Sequence, residues 1–459
     1  MNLAVLHPVA GPRTPGVAYR DEVAVLLAVL QRAGHAVTFL MYWPEEAADA
    51  RSALADARPD LVLIYIEPLA ADLSRRAAGD LASAHAAPVI AFGPHARQMP
   101  GECLSLAGAE AVCVGPADAC LPAYLDARKA GLDATRVRGF WVTLETGVMR
   151  NPPPRPPESL ADRPPPLRTL YPFDQLLDPA GLGAVTVCCG GEQPPPPAGA
   201  PPSTDAPWPP LRRPVDACLD EMAAYADEQL DLSGWRVGNT RWASDPAWLE
   251  EFADKYVRRI HMPLRTTLHA ADVTGQVASL LAMAGCMEAG LRLGSASDLV
   301  RNEVLRLGVT QEALGSAIEA LRGAGVRTAV GVEVGSPYET PVTLDETVAL
   351  LSRLDPDRVD VALHYPAPGT HASQVARENG WLTPDPAAAH LAGRPALALR
   401  SLSDEAVLEA HELLADRVYR PGLVPLLRLA RRVRLGPYGT LYELAVKPML
   451  PPPRRRGGP

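Results

Sequence analysis

Residues 284–334 read AGCMEAGLRLGSASDLVRNEVLRLGVTQEALGSAIEALRGAGVRTAVGVEV. Residues 288–293 have the pattern of a strand, 310–323 the spacing of a helix, and 327–334 an apolar, β-branched run that predicts a second strand. Strand, helix and strand in this order form a βαβ unit, and the pattern continues outward on both sides. Upstream, strands are expected at 184–189, 234–239 and 264–268, with helices at 215–229, 246–260 and 273–284. Downstream, a helix at 344–354 leads to a strand at 358–365. Six strands with intervening helices suit a partial (β/α)6 barrel of the TIM type, whose reactive end is the carboxyl side of its strands.

The front of the chain alternates in the same way. Strands are expected at 3–6, 36–41, 61–66, 89–92 and 111–114, and helices at 22–33, 47–57, 69–85, 101–107 and 119–130. Five such units predict an α/β, doubly wound parallel sheet of Rossmann-like type, which takes ligands at the carboxyl ends of its strands. Those ends carry His7, Glu67, the turn Gly93-Pro94-His95, and the turn from Gly115 to Asp118. Glycine there lets a backbone approach a flat or phosphate-bearing ligand, and each turn offers amides at a helix start. Taken singly, each has a plainer reading as a structural turn or a hydrogen-bonded histidine.

Between the halves lie a hairpin with a Thr-Gly turn, a proline-rich tether, and then GAVTVCCGGEQPPPPAGAPPSTDAPWPPLRR at 183–213. Its proline-rich part cannot hold a helix or a sheet ladder. At the other end, 403–418 reads as an amphipathic helix with Asp404 and Glu405 in its first turn, which suits the helix dipole. Residues 425–434 form a basic amphipathic helix, and PPPRRRGGP at the end has the composition of a disordered tail. The domains expected are 1–135, a hairpin and linker at 136–182, the barrel at 183–382, and a helical region at 383–459.

The whole chain has 459 residues, 47% hydrophobic and 21% charged, with a net charge of −9. That composition is globular, and the acidic balance argues against general binding to nucleic acid or anionic membranes. No run approaches a membrane span, and no basic n-region precedes the first apolar run. Seven scattered Cys suggest no disulfide framework, so a cytoplasmic location is expected.

Several motifs in order resemble the cobalamin-binding radical S-adenosylmethionine (SAM) family. Residues 284–326 resemble that family's "GC..v..GiESGS..vl..m.rg.t.e....a...l..aGi"; GSPYET at 335–340 resembles "GLPGET", and YPAPGT at 365–370 resembles "PYPGT". In front, residues 87–127 resemble the family's cobalamin domain, with GPAD in place of its "GEGE"-like turn. A DxHxxG motif is lacking, so the resemblance is to the type that binds cobalamin without a protein histidine ligand. The likeness runs over about residues 1–382. It implies cobalamin bound by His7, Glu67, Gly93, Pro94, His95, Gly115 and Asp118, and SAM near Gly294 and Ser295.

The resemblance breaks at the cluster. The family places CxxxCxxC after the first barrel strand, because three thiolates hold three irons of a [4Fe–4S] cluster and leave the fourth open to SAM. Here only Cys188 and Cys189 stand at that place, and the next cysteine is Cys218. Adjacent strand residues point to opposite faces, so Cys188 and Cys189 do not face one cluster together. These three are the metal candidates that the sequence offers, and the resemblance does not extend to the ligands of a [4Fe–4S] cluster. Where the family has Glu and Ser in "GIESGS", this chain has Arg292 and Leu293. His364 and His371, near the last strand, are a candidate pair at the barrel mouth.

Two functions follow from the resemblance. One is a cobalamin-binding protein without the cluster, acting as a cofactor- or substrate-binding subunit or as partner to an active radical SAM paralogue. The other is an active cobalamin-dependent SAM enzyme, a methyltransferase in secondary metabolism or cofactor maturation, acting on a small-molecule substrate.

Overall fold

The computed structural model describes residues 1–11, 14, 18–189, 211–228 and 231–435. The proline-rich stretch at 190–210 and the tail at 436–459 lie outside the described residues. The chain divides into two compact units, Met1–Trp242 with Lys255–Pro263 and Ala367–Thr370, and Ala243–Asp254 with Leu264–Pro366 and His371–Pro459.

The first unit is built on strands β1 (Asn2–Pro8), β2 (Ala36–Tyr42), β3 (Leu61–Tyr65), β4 (Val89–Phe92), β5 (Ala109–Cys113), β6 (Phe140–Leu144) and β7 (Gly147–Arg150). They form one sheet in the order β2-β1-β3-β4-β5-β6-β7. The first five are parallel, as expected. Their central members are buried on both faces, which is why β3, LVLIY, has no exposed position. The hairpin of β6 and β7 continues the sheet, because β6 pairs antiparallel with β5 through Ala111 and Val142. Buried Phe140 and Trp141 join it to the core, and it caps an edge that would otherwise stay unpaired.

Helices cover this sheet at Asp21–Arg32, Ala47–Ala57, Ala71–Leu81 and Ala117–Lys129. The first carries Asp21 and Glu22 in its first turn and Arg32 in its last, matching the macrodipole. A short helix, Pro94–Gln98, follows Gly93 directly.

The strand expected at 184–189 is two strands. β8 (Leu182–Thr186) ends before Val187, and β9 (Cys188–Cys189) pairs antiparallel with β10 (Leu211–Arg212). The break falls where the Val187 carbonyl accepts from the Arg213 N–H at 2.9 Å. β8 pairs in parallel with β11 (Gly234–Gly238), and the helix Val215–Glu228 lies between them in sequence.

The second unit holds β12 (Leu264–Leu268), β13 (Cys286–Gly294), β14 (Arg327–Val334) and β15 (Arg358–Leu363), paired in parallel in chain order. Helices Gly275–Met283, Gln311–Gly323 and Pro341–Leu354 connect them. Thr274, Thr310 and Thr340 cap these helices through their side chains. All six strands read in the C-terminal half therefore form. Helices Asp404–Tyr419 and Val424–Leu435 follow. No described helix is long and apolar enough to cross a membrane.

Register sorts the second unit's strands into two faces. Leu291, Leu293, Val330, Val332, Val334 and Leu363 are buried on one. Glu288, Gly290 and Arg292 of β13, Gly331 and Glu333 of β14, and Asp360 and Ala362 of β15 share the other. Tyr338, where the resembled motif has glycine, has φ of 63°. The glycine-type backbone is thus kept while the residue has changed.

Candidate functional site at the strand carboxyl ends

In the first unit the strand order reverses direction between β1 and β3, the switch point at which such sheets bind ligands. His7 sits at the end of β1 and is fully buried, with neither ring nitrogen partnered. Burial, and then the charge of Arg20, lower its pKa to about 3, so the ring is neutral. Its ring meets Tyr65 edge-on at 4.9 Å, and ring contacts continue through Phe39 and Tyr171 to Tyr19.

Glu67 is paired with Arg20, whose Nη2 lies 2.9 Å from Oε2. Gly93 has φ of 106°, and a Cβ there would lie 2.8 Å from the Ile66 carbonyl oxygen and the Tyr65 ring. Pro94 opens the following helix; His95 is buried, with Nε2 3.3 Å from Glu102. A Cβ on Gly115 would lie 2.6 Å from both Cys120 Sγ and Pro154 Cγ. Asp118 accepts from Arg163 Nε at 2.9 Å. Each carboxylate at these ends thus serves an arginine of the same chain, and each glycine admits a neighbouring side chain or carbonyl. His7 has the unpartnered nitrogens of a ligand, and its ring neighbours are Tyr65 and Phe39.

The cluster position gives a second test of fit. Cys188 and Cys189 occupy successive positions of β9, and no cysteine occurs between 190 and 217. Cys218 is fully buried in helix Val215–Glu228, and burial pushes its thiol up to about 12. The thiolate form that binds iron is therefore disfavoured there. Cys103, Cys113, Cys120 and Cys286 are free and buried, as small core residues. No group of three or more His, Cys, Asp or Glu is arranged to hold a metal ion among the described residues. The donor set does not fit a three-thiolate cluster.

Close by, helix Val215–Glu228 is pinned to β8 through charge. Glu221 takes Arg168 Nη2 and Arg213 Nη1 at 2.6 Å each. The same guanidinium groups donate to the Ala184 and Thr186 carbonyls of β8. All three side chains are buried.

In the second unit, Gly294 ends β13 with φ of 69°. Ser295 is buried, and its carbonyl accepts from Arg301 Nη1 at 3.0 Å. Buried Arg301 also takes the Ala296 and Val309 carbonyls, which accounts for the turn's shape from within the chain. Beside it, the polar sheet face carries a group that the sequence reading did not assemble. One oxygen of Glu333 pairs with Arg292, and the other lies 2.7 Å from His364 Nδ1. Burial opposes the charge on Glu333, but the His364 bond and the charges of His364 and Arg292 outweigh it and hold the carboxyl at about 2. Glu339 goes the other way. Burial raises it to about 7, although it accepts the Gly335 N–H at 2.6 Å.

His371 opens helix His371–Glu378, and no contact joins it to His364 among those described. His364 instead influences His390, whose pKa is lowered by burial and then by the charges of His364 and His411. Glu333 stands within the apolar, β-branched run of β14, which by itself does not mark it as a site residue. The available signal was alternation, with Glu333 and Arg292 on the face opposite the valines and leucines.

The sequence matches no family model and no curated protein. In fold it is similar to the radical SAM methyltransferase TsrM from Kitasatospora setae with cobalamin and [4Fe–4S] cluster bound, with TM-score 0.61 and 18% identity over 83% of this chain and 76% of that one. TsrM with tryptophan substrate and the SAM analogue aza-SAM gives 0.62 and 20% over 84% and 78%. OxsB, a cobalamin-dependent SAM radical enzyme with aqua-cobalamin and SAM bound, gives 0.61 and 12% over 82% of this chain and 55% of its own. The chain thus spans about half of OxsB. At these identities the likeness is one of architecture: the chain has the fold of the cobalamin-dependent radical SAM enzymes.

Proposed function

We propose that this chain is a cobalamin-binding protein of that fold that works without a [4Fe–4S] cluster, as a cofactor- or substrate-binding subunit or partner rather than as an enzyme that cleaves SAM reductively. The observation that carries this reading is the missing third thiolate. The sequence supplies two adjacent cysteines, and Cys218 is buried with its thiol at about 12. The change to Arg292 on β13 supports it, because a cation replaces the carboxylate of the resembled motif. Five buried free cysteines are compatible with a reducing, cytoplasmic setting.

The rival reading is an active cobalamin-dependent methyltransferase, supported by the breadth of the fold likeness to TsrM. Anaerobic purification followed by iron analysis and an absorption spectrum separates the two. About four irons per chain with broad absorption near ~400 nm, as a [4Fe–4S] cluster requires, would establish the rival. The cluster-free reading expects neither. Gel filtration with hydroxocobalamin tests the first unit's cofactor in the same preparation. Retained cobalamin without iron would mark a cobalamin-binding subunit, and loss of both a partner or substrate-binding protein.

A further inference from the structure

A parallel α/β sheet normally has both faces covered. On the polar face of β13, β14 and β15, however, Arg292, Asp360 and Ala362 are exposed. The register sets Gly331 between Arg292 and Asp360. A Cβ at Gly331 would find only the Leu291 carbonyl oxygen, at 3.9 Å. The floor of this face is small and open, and its carboxyl end is charged.

Three side chains meet there. His364 Nδ1 lies 2.7 Å from Glu333, and a carboxylate can only accept, so Nδ1 carries the proton. When that is the only proton on the ring, Nε2 is a lone-pair acceptor, and this is the form that takes the ligand. That nitrogen has no partner, although His364 is only 5% exposed. Buried polar atoms are seldom left so. Arg292 meets Glu333 through Nη2, and its side chain is 56% exposed. A guanidinium is a planar fork suited to a carboxylate.

We propose that Arg292, Glu333 and His364 form a binding site for a small carboxylate that also carries an adjacent O–H or N–H donor. The carboxylate pairs with Arg292, and the donor gives its hydrogen bond to His364 Nε2. Glu333 is a positioning residue that sets the imidazole tautomer and neutralises Arg292 before the ligand arrives. No bond is broken and no proton leaves the ligand in this contact. This inference rests on the substrate-binding reading and names the chemical class of its ligand. A plain carboxylate offers no hydrogen to Nε2 and binds less tightly.

The test uses the full chain with isotope-labelled histidine and glycolate as probe, followed by nuclear magnetic resonance. Glycolate should shift the His364 Nε2 resonance saturably, the signal being identified by its loss in His364→Phe. Acetate should bind several-fold more weakly. Arg292→Ala should weaken glycolate by roughly tenfold or more, the scale of a charged hydrogen bond. Glu333→Gln can donate to Nδ1 as well as accept from it, so the proton is no longer fixed on Nδ1. That change is visible in the resonance itself, and it should weaken the preference for glycolate over acetate. Circular dichroism checks each fold, and Arg292→Lys replaces the alanine variant if that one unfolds, again with weaker binding. An unmoved His364 signal in the folded wild-type chain, or equal glycolate binding with and without the Arg292 fork, overturns the proposal. Iron analysis of the same sample keeps the two readings apart. Four irons would defeat the cluster-free reading without touching the glycolate result.

Discussion

His364 Nδ1 lies 2.7 Å from a carboxylate oxygen of Glu333, so the end of β15 is tied to β14 by a charge-assisted bond. With Arg292 on the other oxygen, the Glu333 carboxyl is held at about 2 against an ordinary 4.5.

A depressed carboxyl pKa contributes stability above its unfolded value and loses it as pH falls toward the folded one. Glu333→Gln should therefore be destabilised relative to wild type above about pH 4.5, by on the order of 3 kcal/mol. The gap should close between 4.5 and 2. Urea melts across that range check it, and a gap that stays constant with pH would contradict the charge argument.

Glu339 predicts the opposite slope. Its folded pKa is about 7, raised by burial, so its contribution falls as pH rises from 4.5 through 7. Glu339→Gln keeps an oxygen for the Gly335 N–H and removes the buried charge. The variant should gain on wild type between pH 5 and pH 8, by on the order of 3 kcal/mol at full ionisation. Parallel thermal melts at the two pH values decide it.

Removing Glu221 takes the carboxylate partner from two buried guanidinium groups beside β8. Glu221→Ala should cost about 3–5 kcal/mol, as breaking a buried ion network does. A loss under about 1 kcal/mol in a denaturant melt, the scale of an exposed pair, would mean that water reaches Arg168 and Arg213.

Gly115 tests whether a strand-end glycine serves the chain's own packing. A Cβ would lie 2.6 Å from Cys120 Sγ and Pro154 Cγ, so Gly115→Ala should destabilise by about 1–3 kcal/mol. Gly79→Ala is the control, in a helix with nothing within 4 Å of the added carbon. It should be neutral or stabilising by up to about 1 kcal/mol. Equal melting temperatures for the two variants would remove the packing argument.

Sequence alone determined the alternation of strands and helices, because parallel strands covered on both sides read as unbroken apolar runs such as LVLIY at 61–65. It also determined the shortage of cluster thiolates, since no folding brings a cysteine into 190–217. Tertiary structure decided how the strand-end residues are spent. Glu67 and Arg20 are 47 residues apart and Asp118 and Arg163 are 45 apart, and such ion pairs have no local signature. It decided that the hairpin β6–β7 completes the first sheet, because edge pairing depends on which backbone groups remain free. Finally, it assembled Arg292 of β13, Glu333 of β14 and His364, the residue after β15. Each is a single polar residue in or just after an apolar run, and only the parallel register turns them to one face and leaves His364 Nε2 without a partner.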